Sequence, residues 1–415
     1  MLGLGLRGAG ALSSFALAWI LAQQFGARTV GLYQLGFTTA TLLTALAVLS
    51  QDVVLVREVA PLLKNEKQGE AARRFRGARR LVLIAGSALA VLAALLAYPL
   101  AVYGLGEEAA APFILALAPA IVLLPQMRVH NALLRCLGKV TLSQTLEGVS
   151  YTTFAMVGLL ILWVFSDWLV PLAAPALVVL GLVISVFVGY SATAKYLKSW
   201  PQEGEPIAPD KASGAWIAAS PITAQASNWL ILLVITAMLS ASDGGIFRIA
   251  VLICTLMQLI STSFATMAGP YLSRASQAGD LALVRRTIAV SGAIGAAIAS
   301  PVALLAIFAP VWVMSLFGEE FVSGADALTW LALAQLVNVA AGPVGAALVM
   351  QKRERVVLAV EVCASALGLG IAVILLPMWG LAGAGLGVLA AAIVRNGANG
   401  FFVLFSRPIT SATQT

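Results

Sequence analysis

Apolar runs of roughly twenty residues, the length that carries a helix across the hydrocarbon of a bilayer, follow one another along almost the whole of this chain. Twelve are read at about 8–26, 30–56, 80–104, 110–134, 141–166, 168–194, 214–240, 245–271, 287–317, 325–350, 356–378 and 380–405. Hydrophobic residues make up 60% of the 415 and charged ones 10%, with a mean hydropathy of +0.96. Soluble domains carry about a quarter charged residues. The expected fold class is therefore all-α, a polytopic membrane protein of about twelve transmembrane helices.

The placement of Lys and Arg orients these helices. With the N-terminus inside, alternate loops gather Lys64, Lys67, Arg73, Arg74, Arg76, Arg79 and Arg80, then Arg135 and Lys139, then Lys195, Lys198 and Lys211, then Arg274, Arg285 and Arg286, then Lys352, Arg353 and Arg355, and last Arg407. The opposite loops hold Arg28 as their cation and carry Glu107, Glu108, Asp167, Asp243, Glu319 and Glu320. Both termini are thus expected to be cytoplasmic. The formal charge of +7 follows from topology, and no nucleic acid partner is needed to explain it. The basic stretch 61–79 also offers a surface to anionic membrane lipids. Arg7 precedes the first apolar run and no small-residue cleavage site follows near Gln23, Gln24 and Phe25, so that run is read as a retained helix.

Three echoes point to an internal duplication. Gly106-Glu107-Glu108 returns as Gly318-Glu319-Glu320, and Gly31-Leu32-Tyr33-Gln34-Leu35 as Gly245-Ile246-Phe247-Arg248-Ile249. Glu147 returns as Glu361, each a lone carboxylate in an apolar run. A polar stretch with Pro201, Glu203, Gly204, Glu205, Pro206, Pro209, Asp210 and Lys211 separates six runs from six. The expected organisation is a bundle at 1–200, a cytoplasmic linker at 201–213 and a second bundle at 214–415, related by a pseudo-two-fold along the membrane normal. Two such bundles make a cleft that rocking exposes to each side in turn, which is a transporter's architecture and not an enzyme's.

Ionisable groups inside the runs mark candidate sites, since a charge near the bilayer centre costs about 2.5–3.5 kcal/mol on insertion scales. Arg395 lies about ten residues from the inner end of the last helix, roughly 15 Å in depth, with Asn396 beside it and Asn399 one turn on. Arg128 shares the fourth helix with His130 and Asn131, beyond Pro119 and Pro125, which are expected to kink it. It serves either a substrate phosphate or the inner interface by snorkelling. Asp52 and Arg57 lie in the inner half of the second helix, and Arg248 near the outer end of the eighth. A cleft collecting Arg57, Arg128, Arg248 and Arg395 would attract anions. Glu147, Glu361 and Asp52 are candidates for H+ or Na+ coupling, or for structural ion pairs with the arginines.

Gln24, Asn228 and Gln258, with Gln23, Gln225, Gln335 and Asn338, add neutral hydrogen-bonding groups suited to hydroxyl-rich ligands, or to helix–helix contact. Pro221, Pro270, Pro301 and Pro343 are candidate hinges, and Gly383 with Gly387 a small-residue helix contact. Cys136, Cys254 and Cys363 sit in or beside separate spans, and His130 is a lone imidazole. No disulfide framework, metal spacing or cofactor-binding pattern is read.

The segment from Gly31-Leu32-Tyr33-Gln34-Leu35 to Val56-Arg57-Glu58-Val59-Ala60, followed by a basic loop, resembles the second helix of the polysaccharide-transport branch of the multidrug/oligosaccharidyl-lipid/polysaccharide (MOP) exporter superfamily. Arg135-Cys136-Leu137-Gly138-Lys139 is similar to that branch's loop after the fourth helix. The resemblance implies a Wzx-type flippase of the bacterial inner membrane that moves an undecaprenyl-diphosphate-linked oligosaccharide to the outer leaflet. It also implies glycan polymerases or glycosyltransferases as partners. A cation-coupled multidrug exporter of the same superfamily is the alternative, but such proteins place a carboxylate in the first helix and this one has none. The loop after the second helix lacks the glycine-aspartate-arginine signature of major-facilitator transporters, and no outside loop is long enough for a glycan polymerase site.

Overall fold

The computed structural model describes residues 2–148, 150–165, 170–201, 204–278, 280–351 and 353–405. Asp167, Glu203, Lys352 and Arg407 of the charge map lie outside them, as does the side chain of Pro270. The described residues form helices and no strand, in two compact units, Met1–Trp229 and Leu230–Thr415. The first unit holds α1 (Leu2–Val48), α2 (Gln51–Lys64), α3 (Gln68–Pro99), α4 (Ala110–Leu117), α5 (Ala120–Cys136), α6 (Val140–Gly148), α7 (Ser150–Phe165) and α8 (Ala173–Leu197). It also takes in the first turns of α9 (Lys211–Met238). The second unit continues with α10 (Ala241–Gln277), α11 (Leu281–Phe308), α12 (Pro310–Ser315), α13 (Ala325–Ala340), α14 (Val344–Met350), α15 (Glu354–Trp379) and α16 (Leu381–Phe405).

Ten helical stretches among the described residues are long and apolar enough to cross a membrane, and α6 with α7, bent by 46°, makes an eleventh as one broken span. One stretch, Gly8–Lys64, runs 57 residues, which as a single helix would be about 85 Å long against a hydrocarbon layer of about 30 Å. It is not a single helix. Gly26, at φ 75° and ψ 179°, breaks it in a conformation that only glycine adopts freely, and Arg28 just beyond pairs with Glu107 in the loop ahead of α4. Divided there, the stretch supplies the first two spans and the expected twelve are all accounted for. The protein is a polytopic, all-α membrane protein.

The duplicated register has structural counterparts. Leu32, Tyr33 and Leu35 are buried, and so are Ile246, Phe247 and Ile249. Gly106 and Gly318 both take positive φ in the turns that carry the Gly-Glu-Glu echo. The expected kink in the fourth span falls at Ala118 and Pro119, which part α4 from α5. In the second unit Gly387 of α16 meets the backbone of Gly368 in α15, and Gly383 that of Leu375. The small-residue spacing is therefore the seam along which these two helices approach.

The polar segment after α8 lies docked on the C-terminal part of α2, the N-terminal part of α3 and the C-terminal part of α5. Trp200 is buried in a cluster with Leu55, Val59, Ala72, Phe75 and Leu133. Arg73 Nε donates to the Glu205 carbonyl at 2.8 Å, Ile207 N donates to the Arg73 carbonyl at 3.1 Å and Arg76 Nη2 to the Gly204 carbonyl at 3.3 Å. Gln51 Nε2 reaches the Asp210 carbonyl at 3.3 Å. Arginines of the basic stretch thus hold main-chain oxygens of this strap.

A methyl group on Gly77 would lie 1.8 Å from the Ile207 carbonyl oxygen. Gly77→Ala must displace that backbone, at a cost of about 1–3 kcal/mol. The expected outcome is a lower thermal midpoint in detergent together with new protease cleavage between residues 201 and 213. A variant as stable and as resistant as the parent would show that the strap is not held this way.

Candidate functional site

A cavity of about 300 Å³ opens in the first unit, lined by Thr41, Thr44 and Ala45 of α1, Leu124, Met127 and Arg128 of α5, Glu147 of α6, Tyr151 of α7, and Pro221 and Gln225 of α9. Leu124, Met127 and Arg128 stand three and four residues apart, so helical periodicity puts them on one face. Arg128 is held from the side: its Nε lies 4.0 Å from Asp52 Oδ2, and the two side chains are 39% and 12% exposed. At that distance Asp52 balances the charge while the rest of the guanidinium remains available to a ligand.

Two turns further along α5, Arg135 Nη1 donates to Glu147 Oε2 at 3.1 Å and ties α5 to α6. On the opposite wall Gln225 Nε2 donates to Thr41 Oγ1 at 2.8 Å and Trp229 Nε1 to Thr39 Oγ1 at 2.9 Å, fixing the first turns of α9 against α1. Thr44 Oγ1 is buried with no hydrogen-bond partner. The cavity thus presents one guanidinium, one carboxylate with a free oxygen, hydroxyls, an amide and an aromatic ring.

The second unit contains a separate polar network. Arg395 Nη1 donates to Glu361 Oε1 at 3.2 Å and Arg395 Nη2 to Asn338 Oδ1 at 3.0 Å. Asn396 Nδ2 donates to the same Asn338 oxygen at 2.6 Å, and Asn338 Nδ2 to Gln335 Oε1 at 3.2 Å. Glu361 is 9% exposed at its side chain and Arg395 31%. Asn399 is buried one turn further, its Oδ1 without a partner.

Of the residues singled out by sequence, the first unit brings together Arg128, Asp52 and Glu147, and the second Arg395, Glu361 and Asn396. Arg57 is exposed on α2 and does not line the cavity. Gln24 is half-buried on α1, Arg248 half-buried on α10, and Asn228 and Gln258 are exposed on α9 and α10. His130 is packed between Phe75 and Tyr190, its Nδ1 2.9 Å from Thr193 Oγ1. Tyr151, Thr41 and Thr44 were not anticipated as site residues. Tyr151 was within reach of the sequence, since it follows Glu147 by four residues on the fifth span.

The network makes a prediction about stability. Glu361→Gln leaves a guanidinium inside the bundle without its carboxylate and should lower the thermal midpoint. Adding Arg395→Gln to Glu361→Gln should restore part of the loss, with a coupling on the order of 1 kcal/mol. Strictly additive shifts across the four proteins of that cycle would show that the pair is not energetically linked.

The profile of the family described as polysaccharide biosynthesis protein matches residues 6–276. No curated protein matches the chain. Among solved structures, an inward-facing multidrug resistance MATE family transporter of the MOP superfamily is similar at a TM-score of 0.78 and 16% identity, covering 97% of this chain and 96% of that one. The lipid II flippase MurJ in an inward closed conformation is similar at a TM-score of 0.75 and 13% identity, covering 95% and 85%. A MATE transporter from Vibrio cholerae, VcmN, is similar at a TM-score of 0.60 and 13% identity, covering 96% and 95%. At these identities the likeness is one of fold.

Proposed function

The chain belongs to the polysaccharide biosynthesis protein family, and from that membership we propose that it is a flippase for an undecaprenyl-diphosphate-linked oligosaccharide. It carries this lipid from the inner to the outer leaflet of the bacterial cytoplasmic membrane by alternating access of its two helical bundles, 1–200 and 214–415. Both termini face the cytoplasm. The observation that carries the reading is the cavity of the first unit, where Arg128 stands among hydroxyl and amide groups inside an apolar bundle. An anionic headgroup bearing a sugar fits that mixture, because the guanidinium binds phosphate oxygens and the neutral groups exchange hydrogen bonds with hydroxyls.

Arg395 supplies a second cation. Its bonds to Glu361 and Asn338 are ones a phosphate could replace, which would release Glu361 to answer an ion gradient. Glu147, with one oxygen on Arg135, and Asp52, beside Arg128, are the corresponding carboxylates of the first unit, and H+ or Na+ is the coupling ion. The family's role in polysaccharide biosynthesis agrees with glycosyltransferases or glycan polymerases as partners. A cation-exporting mechanism fits the first span less well, since Ser13 there is engaged with Thr153 at 2.7 Å and no carboxylate is present.

The test is translocation of a lipid-linked oligosaccharide in proteoliposomes. Arg128→Ala and Arg395→Ala should each reduce the rate at least tenfold while the proteins still insert, and Arg128→Ala, whose carboxylate neighbour lies 4.0 Å away, should keep its thermal midpoint to within a few degrees. Rates matching the parent in both variants would reject the reading.

A further inference from the structure

We infer that the cavity of the first unit is a subsite for the single sugar ring next to the phosphate, with Tyr151, Glu147, Thr44 and Gln225 as the residues that select it. This rests on the flippase reading and goes beyond it, because it names which part of the substrate this unit reads. Size is the first argument. About 300 Å³ is the lower limit for sites that enclose a small ligand. It admits one ring beside a phosphate and excludes an oligosaccharide chain, so the rest of the glycan and the lipid tail lie outside.

The chemistry of the lining is the second argument. A pyranose has an apolar face of C–H bonds and a rim of hydroxyls, and it is bound by an aromatic surface together with groups that accept and donate at the rim. Tyr151 brings the aromatic surface. Glu147 has Oε2 on Arg135 and keeps Oε1 as an acceptor. Gln225 has Nε2 on Thr41 and keeps its carbonyl oxygen as another. Thr44 Oγ1 is buried without a partner in the same wall, and a buried hydroxyl left unpaired is costly unless a ligand or water meets it. Arg128 stands at the same cavity for the phosphate.

The placement of Tyr151 is enforced from behind. A methyl group on Gly181 of α8 would stand 2.9 Å from Tyr151 Cα and 3.0 Å from its carbonyl oxygen, so α7 approaches α8 as closely as a glycine allows. Gly181 is thereby a positioning residue, which acts on the ligand through the ring it seats.

The experiment measures the dissociation constants of a polyprenyl diphosphate and of the same lipid carrying one N-acetylhexosamine, with purified protein in detergent. The parent should bind the glycosylated lipid about tenfold more tightly, the effect of one or two ring and hydrogen-bond contacts. Tyr151→Ala and Glu147→Gln should each reduce that preference severalfold without weakening the bare diphosphate. Tyr151→Phe, which keeps the ring, should retain it, and Gly181→Ala should reproduce the loss in part. A parent that binds both lipids equally, or a preference that survives Tyr151→Ala in a protein with the parental thermal midpoint, overturns the subsite. Arg128→Ala reports on the underlying reading separately: it should weaken both lipids together, and unchanged binding of both would refute the anion site itself.

Discussion

A guanidinium inside a bilayer persists only where something nearby shares its charge, and the charged architecture of this protein follows from that constraint. Arg128 lies beside Asp52, Arg135 on Glu147 and Arg395 on Glu361. Each pair joins two helices, so the groups that would be most costly to insert alone also fix how the helices are rotated. Pairing is uneven. Arg135 and Arg395 are in hydrogen-bond contact with their carboxylates, whereas Arg128 is held at 4.0 Å, close enough to offset its charge and loose enough to accept another anion. A buried ion pair is weak support for stability in itself, and a site that binds an anion and then releases it cannot be built from arginines that are already saturated.

Backbone requirements shape the end of the first unit where α2 meets α3 in the same manner. A strap of main chain beneath a helical bundle carries unsatisfied amides and carbonyls, which must find partners. Arg73 and Arg76 donate to its carbonyls, Arg73 receives its Ile207 amide, and Trp200 anchors it in apolar surroundings. The close approach at Gly77 brings the Ile207 carbonyl against α3. The strap leads directly into the turns of α9 that supply Pro221 and Gln225 to the cavity, so one wall of the site is fixed partly by the strap's contacts with α2 and α3.

The spans were legible in the sequence because an apolar run of the right length has only one use, and their interruptions were legible where Pro119 removed a donor from the fourth. The Gly26 break was placed as the gap between two runs for the same reason. The pairings were not legible. Glu147 and Glu361 could be read as coupling groups or as partners of arginines, and choosing between these needs the rotation of each helix, which an almost uniformly apolar surface hides. The strap was read as a linker because what it offers to Arg73, Arg76 and Gln51 are main-chain oxygens, and these leave no mark in composition. Tyr151 was passed over because an aromatic residue in an apolar span is ordinarily core, and its place in the cavity depends on how closely α7 approaches α8.

Duplication supplies the frame against which the differences acquire meaning. Glu147 and Glu361 occupy the same register, yet one is answered by Arg135 of α5 and the other by Arg395 of α16. The register position of Arg135 in the second unit is Val349, and that of Arg395 in the first is Gly181. One position thus carries the guanidinium that pairs Glu361 in the second unit and, in the first, a missing side chain that lets a tyrosine be seated. Dividing the equivalent position between charge and close packing gives the halves different chemistry while leaving the helices that carry it in register.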